Sequence, residues 1–277
     1  MKHLGLVIVF LSGAFLLYAT VDFPPWADPA SPASTHVSPR YIEKTVEETA
    51  VPNAVTSVLA DYRGFDTMFE TTVIFVAGVV CFVLLRTFKT VGSEQVQYRH
   101  TPTGITLRIK DGRRVPPGVL DEFESIDTLW TPYDFIVKTM CRLIIPFIQI
   151  FALYVIAHGH HSPGGGFQGG VILGASFILL AISQDLRSSL ARIGEKIHTL
   201  FCPVGVFIYA GTGALCLVLG QNFLDYKALA PLLGVDSIMA RSHGIFIVEV
   251  GVGIAVMATM IWIYNNLSSE GRYDEGL

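Results

Sequence analysis

The chain has 277 residues, of which 51% are hydrophobic and 15% charged, with a mean hydropathy of +0.52 and a formal net charge of −4. That composition excludes a water-soluble domain of this size and sets the class as integral membrane protein, with no nucleic-acid partner expected. Six segments, 4–21, 68–87, 135–157, 167–184, 198–219 and 243–264, have the apolarity of a spanning helix and lie near the roughly 20 residues it needs. The fold expected is all-α: six transmembrane helices with a glycine-rich outer turn between helices 3 and 4.

Met1–Thr20 combines a short basic start with an apolar core, a pattern shared by cleavable signal peptides and uncleaved signal anchors. We read it as the anchor. With the N-terminus inside, fourteen Lys and Arg residues fall on one side of the membrane and five on the other. Basic residues are retained on the cytoplasmic side, so both termini are expected there and the turn at 158–166 on the outer side.

Between the first two spans, prolines 24, 25, 29, 32, 39 and 52 disfavour regular structure, so 22–52 reads as an extended outer loop. Val51–Phe65 carries Val55, Val58, Leu59 and Tyr62 at three- and four-residue spacing, the pattern of a short interfacial helix. Asp61, Arg63, Asp66 and Glu70 then make a charged cluster, in which Asp66 reads as the helix cap and Arg63 as the nearest partner of the acids. Glu70 stands apart because it lies inside the apolar run, where an ionisable group is costly; it is the leading candidate for proton or sodium transfer, with Asp66 one turn before it a lesser one.

The loop 90–132 alternates polar and β-branched residues in Gly104-Ile-Thr-Leu-Arg-Ile-Lys and turns at Asp111-Gly112, which predicts a small cytoplasmic hairpin. Asp127–Tyr133, with Trp130 and Pro132, reads as an interfacial anchor. The most distinctive stretch follows, His158-Gly-His-His-Ser-Pro-Gly-Gly-Gly-Phe-Gln-Gly-Gly170. Pro163 removes a donor, and Gly164, Gly165 and Gly166 permit angles that other residues avoid, so the preceding helix stops there. Beyond Phe167, Gly166, Gly170 and Gly174 recur every fourth residue and form a smooth face that invites a close-packed neighbouring helix.

Helices 5 and 6 are glycine-rich, which favours close contacts. His198 and His243 read as interfacial residues at the starts of those helices, and Glu249, two turns into helix 6, is a second intramembrane carboxylate. Cys81, Cys141, Cys202 and Cys216 read as small hydrophobes. His158, His160 and His161 suit proton entry or pH sensing. They lack the nearby carboxylate or thiolate of a stable metal site, so no metal or other cofactor is expected. The glycines lack the Lys and Ser or Thr of a phosphate-binding loop, and Ser162 with His160 lacks an orienting acid for hydrolysis.

These residues carry a family resemblance. Arg142-Leu-Ile-Ile-Pro146 and the glycine motif, over about 134–264, resemble the B subunit of the Mrp (Mnh) multisubunit sodium/proton antiporters. Asn53–Glu70, with Asp61-Tyr-Arg-Gly-Phe-Asp-Thr, is similar to the C-terminal end of the large A-type polypeptide of those antiporters; membrane-bound hydrogenases related to respiratory complex I have a separate small subunit of this kind. The paired His160 and His161 depart from the usual single histidine. The resemblance implies a fusion: 1–90 resembling the end of the A-type polypeptide, 91–133 a cytoplasmic connecting loop, and 134–277 a four-helix domain. It implies a non-redox accessory subunit of a bacterial or archaeal cytoplasmic membrane. Its partners are other antiporter subunits, lipid, Na+ and H+; a membrane arm of a hydrogenase-type complex is the alternative parent.

Overall fold

The structure, a computed structural model, describes residues 2–87, 96–109, 122–126, 135–184 and 186–269. Six of its helices are long and apolar enough to cross a membrane. The first, α1 (Lys2–Ala19), is exposed along its length.

The proline-rich stretch is not the extended loop that its composition suggests. It holds a π-helical turn at Ala33–Val37 and two short helices, α2 (Ser38–Glu43) and α3 (Thr45–Thr49). Four of the prolines precede the first helical turn, and Pro39 occupies the first turn of α2, where a missing N–H breaks no helical bond. The expected helix over 51–65 is present in two pieces, α4 (Ala54–Ser57) and a π-helical turn, Val58–Tyr62. The second span, α5 (Gly64–Thr87), begins ahead of Asp66, which therefore lies in its first turn and does not cap it. Asp66 is ion-paired with Arg63 there, beside the positive end of the helix.

A three-stranded antiparallel sheet follows, β1 (Val96–His100), β2 (Thr106–Ile109) and β3 (Phe123–Ile126), in the order β2-β1-β3. The hairpin was expected, but its turn is Thr101–Ile105, with Gly104 at φ 69°. Pairing of Arg99 with Thr106 sets that position. Asp111-Gly112 and Asp127–Tyr133 lie outside the described residues.

The remaining chain is α6 (Phe135–Ala157), α7 (Gly166–Ser183), α8 (Leu186–Arg192), α9 (Glu195–Val218), α10 (Ala230–Leu233) and α11 (Ser237–Ser268). The last starts six residues before the apolar run because Asp236 caps it, its carboxylate accepting from the Ile238 amide at 3.2 Å. Hydropathy registers the apolar part of a helix, whereas the cap sets its first turn. His243 is thus a residue within α11, not at its start, and Glu249 lies more than three turns from that start.

The bundle is organised on α11, the most buried span, which packs against α9, α7 and α5. Small residues permit the approach. A Cβ on Gly205 of α9 would lie 2.5 Å from the Gly251 carbonyl oxygen of α11, and one on Gly170 of α7 would lie 2.7 Å from that of Gly253. The close-packed neighbour expected for the Gly166, Gly170 and Gly174 face is α11 of the same chain. Backbones this close gain dispersion contacts that lipid cannot match. One apolar core surrounds Tyr209, Tyr226, Ile245 and Val248 toward the glycine-turn end, and a second surrounds Cys202, Ala258, Ile261 and Trp262 toward the other.

Candidate functional site

The glycine turn joins α6 to α7 and is stitched to the segment ahead of α5 by Asn53 and Thr56. The Asn53 side-chain oxygen accepts from the Val55 and Thr56 amides, capping α4, while its amide nitrogen donates to the carbonyls of Gly159 at 2.8 Å and Ser162 at 2.9 Å. Its backbone N–H donates to the His160 carbonyl, and the Thr56 hydroxyl to that of Gly159. Asn53→Ala removes the cap and both long-range side-chain donors. The expected loss is about 2 kcal/mol, read as a lower melting temperature of the purified protein in detergent. An unchanged melting temperature would show that the turn holds its shape without the stitch.

What the turn encloses is Glu249. Its side chain is only 8% exposed, and Oε2 has no hydrogen-bond partner. The surrounding glycines leave it space. A Cβ on Gly159 would stand 2.9 Å from Oε2, one on Gly165 would stand 2.5 Å from Oε1, and one on Gly166 would overlap the Glu249 carbonyl oxygen. Gly165 also holds φ 137°, a region that L side chains rarely adopt. The Gly166 amide, at the start of α7, faces the carboxylate. Gly159 and Gly165 are therefore walls of a carboxylate cradle as well as parts of a turn, and Gly166 seats that turn on the backbone of α11.

The carboxylate opens into a cavity of about 140 Å³, room for several water molecules. Thr56, Thr67, Gln168, Tyr209 and Phe167 are among its lining, and Glu70 also lines it. The two carboxylates singled out in the sequence thus line one cavity, and of the two only Glu249 is enclosed as expected. Glu249 is buried, whereas Glu70 is exposed on α5 at the rim. Arg63 does not fold back on Glu70, being paired with Asp66.

The histidines surround the turn without converging. His158 is exposed, stacks on Tyr154 and approaches its carbonyl at 3.2 Å; His161 is exposed; His160 is half-buried against Phe246. Burial, reinforced by His161, holds His160 below the usual imidazole range, so it is neutral at pH 7. Among the described residues, no three His, Cys, Asp or Glu side chains come close enough together to hold a metal.

Two features escaped the sequence. Asp61, grouped there with Arg63 and Asp66, instead receives two charge-assisted bonds from Arg241 of α11, each 2.7 Å. Burial pushes the Asp61 carboxyl up, against the pull of Arg241. Nearby, the Tyr62 hydroxyl donates to Glu48 at 2.7 Å and holds that carboxyl below its ordinary range. The second is His198, expected at the interface but fully buried, with neither ring nitrogen hydrogen-bonded. The run of charge near Asp61 was visible; its partner 180 residues away was not.

Comparison with known proteins gives a consistent answer. Residues 136–262 match the family described as "Domain related to MnhB subunit of Na+/H+ antiporter", and residues 9–100 match the MbhE family, the E component of MBH. A chain of Rhizobium meliloti named as the probable A/B component of a K(+)/H(+) antiporter is 25% identical over 239 residues, 83% of this chain and 22% of its own length. One of Staphylococcus haemolyticus named as the putative antiporter component mnhB2 is 32% identical over 134 residues, 46% of this chain and 94% of its own. The chain therefore spans about a fifth of the first relative and nearly all of the second. Among solved structures, the fold is similar to a chain of the membrane-bound sulfane sulfur reductase, an archaeal respiratory membrane complex. The TM-score is 0.58 at 23% identity, covering 96% of this chain and 97% of that one. A chain of the Mrp complex from Dietzia sp. also gives 0.58, at 21% identity, covering 97% of this chain and 26% of that one. This multi-pass membrane chain belongs to the family of MnhB-related antiporter subunits.

Proposed function

We propose that the chain is an accessory, non-redox membrane subunit of a multisubunit cation/proton antiporter, and that Glu249 is the carboxylate of an exchange site. One observation carries the assignment: a buried carboxylate with an unpartnered oxygen, cradled by glycines, in a cavity that Glu70 also lines. An ionisable group inside a span is expensive and persists where it serves a path for ions. A carboxylate can be neutralised by a proton or balanced by a cation, so arrival of one displaces the other. Neutral oxygens of Thr56, Thr67 and Gln168 suit a hard monovalent cation, sodium first and potassium as the alternative carried by the name of the Rhizobium relative.

Glu70 is then the group at the cavity mouth. Its exposure on α5 would leave a carboxylate against lipid, so a neighbouring subunit covers it in the assembly. The basic residues orient the chain with both termini cytoplasmic and the glycine turn outside. The chain divides into the modules 1–90 and 134–277, joined by 91–133, a reading that the matches over 9–100 and 136–262 support in outline. Asp66, paired with Arg63, and the exposed His158 and His161 have structural or entry roles and do not bind the ion.

Purification from native membranes in mild detergent tests the assignment. Antiporter subunits are expected to co-purify, and the chain alone in liposomes is expected to exchange no cation for protons. Exchange by the single chain at the rate of the assembly contradicts it. The match to the MbhE family favours one other parent, the membrane arm of a redox complex, which co-purifying redox subunits would establish.

A further inference from the structure

A second and larger cavity, about 370 Å³, opens at the same end of the bundle and is lined by charged side chains, among them Glu48, Asp61, Lys227 and Arg241. Two buried phenols lie close by. Tyr209 of α9 and Tyr226, in the loop after α9, are 0% and 1% exposed. The Tyr209 hydroxyl donates to the Gly64 carbonyl and the Tyr226 hydroxyl to the Ala60 carbonyl, each at 2.9 Å. Gly64 lines the charged cavity, whereas Tyr209 and Ala60 line the other.

The hydroxyls are neighbours. A Cβ on Gly64 would lie 3.5 Å from that of Tyr209 and 3.8 Å from that of Tyr226. Each gives its one proton to a backbone carbonyl, and turning off that carbonyl offers it to the other phenol. Asp61 lines the charged cavity and Glu249 the other. Burial raises Tyr226 well above the ordinary phenol range, so it stays protonated and can move a proton only by handing one on as it takes another.

We propose that Tyr226 and Tyr209 form a hydroxyl relay carrying protons between the charged cavity and the Glu249 cavity. This rests on the reading of Glu249 as the exchange carboxylate. A proton taken up at the Tyr226 oxygen from the charged cavity is matched by transfer of the Tyr226 proton to the Tyr209 oxygen. The Tyr209 proton in turn passes into the cavity of Glu249. Rotation of both hydroxyls restores the bonds to Ala60 and Gly64, and neither phenol keeps a charge.

The test is Tyr209→Phe in the whole complex, which keeps the ring and removes the hydroxyl. Proton-coupled exchange per assembled complex is expected to fall roughly tenfold or more, the scale of a lost proton-transfer group. Slowing in D2O is expected to increase, because proton delivery becomes limiting, which loss of a purely structural bond does not produce. Exchange within about twofold of the parent complex, with unchanged isotope sensitivity, overturns the relay. If the variant fails to assemble, Tyr226→Phe, which leaves the Tyr209–Gly64 bond in place, is judged by the same criteria. If neither assembles, the pair is a structural clamp and the proposal falls. Normal exchange by Glu249→Gln removes the underlying reading, whereas an inactive Glu249→Gln beside an active Tyr209→Phe removes the relay alone.

Discussion

Substituting leucine for Gly166 is expected to abolish assembly of the complex before any question of transport arises. The first added carbon already overlaps the carbonyl oxygen of Glu249, and its other close neighbours are backbone atoms of α11. A flexible side chain could move aside, but helix backbone cannot, so α7 and α11 must separate. That separation opens the row through Gly170 and Gly174 and breaks the glycine wall against the carboxylate. Overpacking a well-filled site typically costs about 1–3 kcal/mol, and a collision with backbone lies at or beyond the upper end. Gly5→Leu is the matched control, because a Cβ there meets nothing within 4 Å. The expected result is normal yield of purified complex for Gly5→Leu and little or none for Gly166→Leu. Equal yields would show that the α7–α11 contact is not as tight as described.

Much of this architecture is legible in the sequence, because lipid imposes a length and a polarity that hydropathy reads directly. The limits of α6 fall at 135–157, where the apolar run places them. Boundaries set by caps and turns are less visible: Asp236 extends α11 six residues beyond its apolar run, and Gly64 starts α5 four residues early. The turn was legible as a turn, since proline and three glycines leave little else. Its purpose was not, because the reason for Gly159 and Gly165 is a carboxylate, and that for Gly166 the backbone, of a helix far along the chain.

The same limit governs the charges. Glu249 stands out in the sequence as an acid within an apolar run, and Glu70 does so for the same reason. Which of them is enclosed depends on the packing of α7 on α11, which local spacing does not encode. Asp61 looked like one of a local group because its neighbours in sequence are charged, whereas Arg241 reaches it only once α11 lies against the segment ahead of α5. His198 looked interfacial because it begins an apolar run. In the structure α9 starts earlier, at Glu195, and His198 is carried inward.

Glu249→Gln is the change with the largest expected effect on transport. Glutamine preserves the size of the side chain and one oxygen within the glycine cradle, so packing against Gly159, Gly165 and Gly166 is retained. It can neither carry the exchanged proton nor balance a cation. Glu70→Gln removes a charge at the rim and is expected to weaken exchange less. The measurement is cation-driven proton movement in proteoliposomes of the purified complex, with assembly checked in the same preparation. Glu249→Gln is predicted to assemble fully and to lose exchange on the order of a hundredfold. A fully assembled Glu249→Gln complex that exchanges at the parent rate would contradict the central assignment.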